Sequence, residues 1–148
     1  MSLNDLHKKQ PVILVAEDDP DDRLLIEQAF KESGYSDTLV FVEDGEELMD
    51  FLLGRKQYAE KGPALPACLL LDLKMPRKNG LEALKEIRQN TIYRDLPIII
   101  LSTSDSENDR DSCTRFGISA YVSKPDTFAG LLAMVEKTRG ICLSLSAG

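Results

Sequence analysis

The stretch CLLLDLKMPRKNGLEAL, residues 68–84, contains three local patterns in succession. A short apolar run ends in Asp72, a polar loop with a proline follows, and an amphipathic helical pattern begins after Gly80. A run that is apolar on both faces is typical of a buried strand in a parallel sheet. The segment therefore predicts a strand, a loop and a helix, with a carboxylate at the carboxyl end of the strand.

The same unit recurs along the whole chain. The strand-like runs are VILVA (12–16), TLVFV (38–42), CLLLD (68–72), PIIIL (97–101) and SAYVS (119–123). The helical patterns that follow them begin at Asp19-Pro20, before Leu48, after Gly80, at SENDRDSCTRFG (106–117) and after Pro125. Strict alternation of strands and helices implies right-handed crossovers. We predict an α/β fold whose parallel sheet carries helices on both faces.

The helical patterns also predict which side chains face the core. The fourth pattern is poor in apolar residues and is expected to pack loosely, and a long polar loop, GRKQYAEKGPALP (54–66), interrupts the alternation. The expected inward residues are Leu24, Leu25, Ala29 and Phe30 in the first helix, Leu48, Met49, Phe51 and Leu52 in the second, Leu81, Leu84 and Ile87 in the third, and Phe128, Leu131, Leu132 and Val135 in the fifth.

Composition excludes several classes of function. The chain has 148 residues, enough for one domain, and a net charge of −7, which argues against a nucleic-acid surface. No apolar stretch is long enough for a bilayer, and no signal-peptide pattern is present. The three cysteines form no CxxC pair, so we expect reduced thiols in a cytoplasmic protein. The single histidine, His7, lies in the polar leader 1–10, which we expect to be flexible.

Polar residues cluster where the predicted strands end. Glu17 and Asp18 follow the first strand, Asp72 ends the third, Ser102 follows the fourth and Lys124 follows the fifth. In a doubly wound sheet, functional groups gather at these carboxyl ends. Neighbouring carboxylates destabilise one another unless a cation lies among them, and a few oxygen ligands suit Mg²⁺. A lysine and a hydroxyl are partners for a phosphoryl group, so the pattern predicts phosphoryl chemistry.

Four motifs in this order resemble the receiver domain of two-component response regulators. They are EDDP (17–20), DLKMPRKNG (72–80), LSTSD (101–105) and AYVSKP (120–125), and the resemblance extends from Val12 to about Lys137. It implies a flavodoxin-like, doubly wound, five-stranded parallel sheet with strand order 2-1-3-4-5. It also implies a receiver domain over 11–138, between the leader 1–10 and a tail over 139–148.

The resemblance implies a role for the residues at the acidic end of the sheet. Asp72 would accept the phosphoryl group. Mg²⁺, with Mn²⁺ as a substitute, would be bound by Asp18, Asp72 and the backbone carbonyl of Lys74, and by Glu17 directly or through water. Asp19, by contrast, is expected to be the N-cap of the first helix.

The remaining roles concern contact with the phosphoryl group and switching. Lys124 would contact the acyl phosphate, and the peptide bond between Lys124 and Pro125 is commonly cis in this family. Ser102 would be the switch hydroxyl and Tyr121 the switch aromatic. Lys74 and Ser104 occupy positions that influence the lifetime of the acyl phosphate in the family.

Further resemblance concerns the partners. The long loop and the RKNG and STSD motifs are similar to those of stand-alone regulators that partner bacterial phytochromes and related sensor histidine kinases. Only TRGICLSLSAG (138–148) follows the fifth predicted helix, so we expect output through binding rather than through an output domain. We expect a homodimer through the fourth helix, fifth strand and fifth helix. The apolar tail residues Ile141, Leu143 and Leu145 either cover this seam or form a frayed terminus.

Three other functions are less consistent with the residues. A phosphatase of the haloacid dehalogenase kind would need an aspartate at the position of Lys74 as its general acid and base. A flavodoxin-like cofactor binder would need a glycine-rich loop after the first strand. A pseudo-receiver that binds partners without phosphorylation would have no use for the acidic set and Lys124. We therefore expect a phosphoacceptor signalling protein rather than an enzyme.

Overall fold

The computed structural model describes residues 12–34, 38–103 and 106–147. The leader with His7, and Ser104, lie outside the described residues. The strands are β1 (Val12–Ala16), β2 (Thr38–Val42), β3 (Cys68–Leu71), β4 (Ile98–Ser102) and β5 (Ala120–Ser123). The α-helices are α1 (Pro20–Glu32), α2 (Gly45–Leu53), α3 (Gly80–Gln89), α4 (Glu107–Arg115) and α5 (Phe128–Ala147). Short 3-10 helices are formed by Lys56–Tyr58 and Thr91–Tyr93.

The five strands form one parallel sheet in the order β2-β1-β3-β4-β5, as predicted. The order reverses between β1 and β3, the chain's first and third strands. Ala16, the last residue of β1, pairs with Leu71, the last residue of β3. The residues that follow these two strands therefore emerge side by side at the carboxyl edge of the sheet.

Two apolar layers enclose the sheet and confirm the prediction of helices on both faces. On one face, α2 and α3 contribute Leu48, Met49, Leu52, Ala83, Leu84 and Ile87. On the other face, α1 and α5 contribute Ile26, Ala29, Phe30, Leu131, Met134 and Val135. From α4, only Cys113 is a buried core residue among those described, so this helix is held loosely, as expected.

The prediction for the inward face of α1 is wrong at two positions. Leu24 is 62% exposed and Leu25 is 41% exposed. The buried stripe consists of Ile26, Ala29 and Phe30, whose spacing places them on one side of a helix. Two apolar stripes overlap in this sequence, and packing against α5 buries the one that contains Ile26.

The prediction that the last helix ends before the tail is also wrong, because α5 continues to Ala147. A glycine inside a helix costs only about 1 kcal/mol, so Gly140 does not stop it. Ile141 and Cys142 are half-buried against the core face that holds α1 and α5, so Ile141 has a place in the monomer. The side chains of Leu143 and Leu145 lie outside the described residues. Within the described chain, no helix is long and apolar enough to cross a membrane.

The long loop between α2 and β3 is fixed at both of its ends. The Ala64 amide donates to the carbonyl of Leu52 at 2.9 Å. The buried Tyr93 hydroxyl donates to the carbonyl oxygens of Leu52 and, at 2.8 Å, Ala64. The two ends of the loop are therefore drawn together beneath the 3-10 helix that follows α3.

A single side chain connects the end of α3 to two other segments. The guanidinium of Arg88 donates four hydrogen bonds to backbone carbonyls. Two acceptors, Tyr93 and Leu96, precede β4, at 2.6 and 2.9 Å. The other two, Phe116 and Gly117, follow α4, at 2.8 and 2.7 Å. Arg88 thus links α3 to the turns before β4 and β5.

Candidate metal and phosphoryl site

Three carboxylates meet at the carboxyl edge of the sheet. Glu17 and Asp18 follow β1, and Asp72 follows β3, so the register of these strands brings them together. One ligand oxygen from each lies within 4.8 Å of the others. Glu17 and Asp72 are buried and Asp18 is exposed, which leaves the cluster open to water on one side. A small set of carboxylate oxygens with room for water fits Mg²⁺ or Mn²⁺.

Lys124 lies just past β5 and reaches into this cluster. Its Nζ is 2.7 Å from Oε1 of Glu17 and 3.2 Å from Oδ2 of Asp72. A third carboxylate, Asp22 in the first turn of α1, lies 2.9 Å from the same nitrogen. The lysine therefore supplies positive charge beside Asp72.

Two residues of the site were not predicted from the sequence. Asp22 shares Lys124 with the other carboxylates. Arg23 donates from Nη1 to the backbone carbonyls of Glu17 at 2.9 Å and Asp18 at 3.1 Å, which orients the acidic turn. The available signal is the position of Asp22 in the first turn of the helix that begins at the acidic EDDP motif. Asp19 caps α1 by accepting from the amide of Asp21 at 2.8 Å, as predicted.

Burial and charge shift the protonation of this cluster. Burial raises the pKa of Glu17 from 4.5 to about 7, although its hydrogen bond with Lys124 acts in the opposite direction. Burial alone would lower the pKa of Lys124, but its hydrogen bonds to Asp22 and Glu17 and the charge of Asp72 outweigh burial and raise it. Glu17 therefore exchanges its proton near neutral pH, whereas Lys124 stays charged.

Magnesium binding is consequently expected to depend on pH. A protonated Glu17 is a poor ligand, so affinity should fall about tenfold for each pH unit below about 7 and level off above it. Without metal, Glu17 holds a proton in the folded protein but not in the unfolded chain between pH 4.5 and about pH 7. The free energy of unfolding therefore falls as the pH rises through this window. Thermal unfolding at about pH 6 and about pH 8, with and without Mg²⁺, measures this, and a larger Mg²⁺ stabilisation is expected at the higher pH. A Glu17→Gln control should lose the pH dependence, and an equal dependence in this control would contradict the assignment.

The loop that follows Asp72 is tightly folded. The Lys74 amide donates to Oδ1 of Asp72 at 3.1 Å, and the Gly80 amide donates to the carbonyl of Leu73 at 2.9 Å. A Cβ atom on Gly80 would lie 2.3 Å from the carbonyl oxygen of Asp72, so only glycine allows this approach. Asn79 caps α3 in a capping box with Glu82. We call residues 72–80 the acceptor loop, after the predicted role of Asp72 as phosphoryl acceptor.

The remaining predicted residues lie at the ends of β4 and β5. Ser102 is buried, and its carbonyl accepts from the Lys124 amide at 2.8 Å. Tyr121 is half-buried in β5, and the guanidinium carbon of Arg110 in α4 lies 4.5 Å from its ring centroid. The peptide bond between Lys124 and Pro125 is trans, so the prediction of a cis bond is wrong here. The trans form is the default, favoured before proline by about 0.5–1 kcal/mol.

Several known proteins are similar to this chain in sequence and in architecture. The model of the response regulator receiver domain matches residues 13–136. Response regulator Rcp1 of Synechocystis sp. is 33% identical over 134 residues, covering 90% of each chain. A crystal structure of Mn²⁺-bound Rcp1 superposes with a TM-score of 0.77 at 34% identity, covering 86% of this chain and 90% of Rcp1.

A second solved structure is similar over a larger part of the chain. The phosphorylated cyanobacterial phytochrome response regulator RcpA superposes with a TM-score of 0.82 at 31% identity. The match covers 92% of this chain and 96% of RcpA. Since the family match spans most of the chain and includes every strand, the protein belongs to the response regulator receiver domain family.

Proposed function

We propose that the protein is a response regulator of the cytoplasm. It would accept a phosphoryl group on Asp72 from a sensor histidine kinase and then change its affinity for a partner. The observation that supports this most directly is the position of Lys124, whose Nζ lies 3.2 Å from Oδ2 of Asp72. The carboxylates of Glu17 and Asp18 lie on the same edge of the sheet. Asp72 thus has a cation and two further oxygen ligands beside it.

The reaction follows from these groups. A carboxylate oxygen of Asp72 attacks the phosphorus of a phosphohistidine, the N–P bond breaks, and an acyl phosphate forms. A divalent cation held by Glu17, Asp18, Asp72 and the carbonyl of Lys74 would neutralise charge on the transferring group. Lys124 stabilises the phosphoryl oxygens once they are bound, and positions Asp72 before that.

Switching is proposed to run through Ser102 and Tyr121. The phosphoryl group adds about −1.5 to −2 charges, and the Ser102 hydroxyl can donate to it. One such bond is worth about 1.5–3 kcal/mol, whereas about 5.5 kcal/mol is needed to move a population from 1:99 to 99:1. Lys124 must therefore contribute, and movement of Ser102 would leave space for the Tyr121 ring beside α4.

The Ser102→Ala protein is expected to accept a phosphoryl group at Asp72 but to respond only partly in binding. The hydroxyl contributes one of the contacts that favour the active state, and Lys124 supplies the rest. Labelling stoichiometry and self-association, both measured before and after phosphorylation, test this coupling. A complete wild-type association response in the variant would exclude Ser102 from the switch.

The proposed partners are a sensor histidine kinase and a second copy of the chain. RcpA is a phytochrome response regulator, which favours a phytochrome kinase as the phosphodonor. The dimer would use α4, β5 and α5, because α4 has few buried side chains and can shift at low energetic cost. Ile141 packs within the monomer, so its contribution to the seam would be limited to its exposed part.

Phosphotransfer from purified, phosphorylated histidine kinases tests the proposed function. A panel that includes a phytochrome kinase should show Mg²⁺-dependent transfer, and one kinase should react much faster than the others. Loss of label from the kinase with no gain on this chain would contradict the proposal. Fast transfer from a kinase that is not a phytochrome would support the function and remove the phytochrome partner.

A further inference from the structure

The acceptor loop contains a residue in an unusual backbone conformation. Arg77 has a φ of 66°, in the left-handed region that residues other than glycine rarely adopt. Such a conformation persists only where surrounding contacts enforce it, and it is concentrated at functional sites. Arg77 lies between Asp72 and Gly80, in the same loop as the carbonyl of Lys74. The contacts that enforce this conformation therefore also shape the loop.

The side chain of Arg77 is held by a buried carboxylate on a different element. Its Nε and Nη2 lie 3.1 and 3.0 Å from Oδ2 of Asp44. The Asp44 side chain is only 6% exposed, and its other oxygen, Oδ1, accepts from the amide of Glu47 at 2.8 Å. Asp44 is thus both the N-cap of α2 and the partner of Arg77, with one oxygen for each task.

The backbone of the loop contacts the same helix end. The amide of Gly45, the first residue of α2, donates to the carbonyl of Lys78 at 2.9 Å. A Cβ atom on Gly45 would lie 2.1 Å from that carbonyl oxygen, so the contact requires glycine. Residues 77 and 78 are therefore fixed to the beginning of α2 by a side-chain pair and by a backbone hydrogen bond.

We propose that Asp44 and Arg77 form a latch that positions the acceptor loop for metal binding and phosphoryl transfer. Neither residue touches the metal ligands in this role, and both act through the loop. The loop is anchored in the core by Leu73 and Met75, and the latch fixes the part beyond them. Without it, Arg77 can leave the left-handed region, and the loop that carries Lys74, whose carbonyl is a proposed metal ligand, loses this support. The inference rests on the proposed function of Asp72.

The latch is tested by removing each partner while keeping the fold. Asp44→Asn retains an oxygen for the cap of α2 but removes the charge that faces Arg77. Arg77→Gln removes the guanidinium group that contacts Asp44. Each should weaken Mg²⁺ binding about two- to fivefold, a modest effect because the Arg77 side chain is 66% exposed. The double variant should bind Mg²⁺ with about the affinity of the weaker-binding single variant, because the two substitutions break the same contact.

A matched control and a metal-free measurement make the test specific. Glu86→Gln breaks the ion pair between the Lys78 side chain and α3 but leaves the Asp44–Arg77 pair and the Lys78 carbonyl in place, so it should leave Mg²⁺ affinity unchanged. Hydrogen exchange of the Gly45 amide, measured without metal, should accelerate in the latch variants and not in Glu86→Gln. Unchanged Gly45 exchange and Mg²⁺ affinity in Asp44→Asn would overturn the latch, as would an equal loss in the control. If wild type binds no Mg²⁺, the proposed function fails, while Gly45 exchange still decides the latch.

Discussion

The Asp72→Asn protein is expected to remain unmodified under conditions in which wild type gains one phosphoryl group per chain. An amide oxygen is a weak nucleophile, and the substitution also removes a proposed metal ligand. The other acidic residues of the cluster are not expected to take over, because Asp72 is the carboxylate that lies between the Glu17–Asp18 pair and Lys124. Labelling should therefore fall below detection rather than by a small factor.

Intact-mass measurement after incubation with acetyl phosphate and Mg²⁺ measures this result. Asp22→Asn is a matched control, since it removes a carboxylate that also contacts Lys124 but leaves Asp72 in place. The control should still be labelled, although its rate can change. Equal labelling of Asp72→Asn and wild type would place the acceptor elsewhere.

The Arg88→Met protein is expected to lose about 2–4 kcal/mol of unfolding free energy, because the substitution removes four charge-assisted hydrogen bonds and leaves several carbonyls without partners. The loss is expected to be smaller than the sum of four separate hydrogen bonds, since the half-buried position allows water to reach some of these carbonyls. Methionine keeps most of the apolar stem, so the lost contacts are mainly polar.

Urea unfolding measures the change as a shift in midpoint at constant slope. Arg88→Lys serves as the control, because an ammonium group keeps the charge but cannot reach four carbonyls in two directions. The free energy of unfolding of Arg88→Lys should lie between those of wild type and Arg88→Met. A loss below about 0.5 kcal/mol in Arg88→Met, the range of ordinary surface changes, would show that Arg88 does not hold these segments.

The parallel sheet was predictable because the buried strands are apolar on both faces, whereas its strand order followed from the resemblance to receiver domains. The candidate site was predictable because strand ends concentrate polar residues. The acidic set and Lys124 were found in this way. The inward face of α1 was not predictable from spacing alone, since Leu24 and Leu25 form a second apolar stripe beside that of Ile26. Packing against α5 decides which of the two stripes is buried, and this tertiary contact is not visible in the local sequence.

Other features depend on contacts between residues that are distant in sequence. The continuation of α5 past Gly140 follows from packing of Ile141 and Cys142 against the sheet, which local propensity does not reveal. The contact of Asp22 with Lys124 and that of Asp44 with Arg77 each join the start of a helix to a residue in a distant loop. Aspartate is a common residue at the start of a helix, so the local sequence gives no sign that Asp22 or Asp44 also contacts a cationic side chain elsewhere in the chain.

The contacts beneath Tyr93 close the segment between α2 and β3 at its base. Because the carbonyls of Leu52 and Ala64 are held by one buried hydroxyl, the chain leaves and re-enters the body of the protein at nearly the same place. The free-energy cost of lengthening such a closed excursion grows only slowly with its length. The exposed residues between these two anchors therefore form a suitable insertion site for a fluorescent or affinity tag that is independent of either terminus.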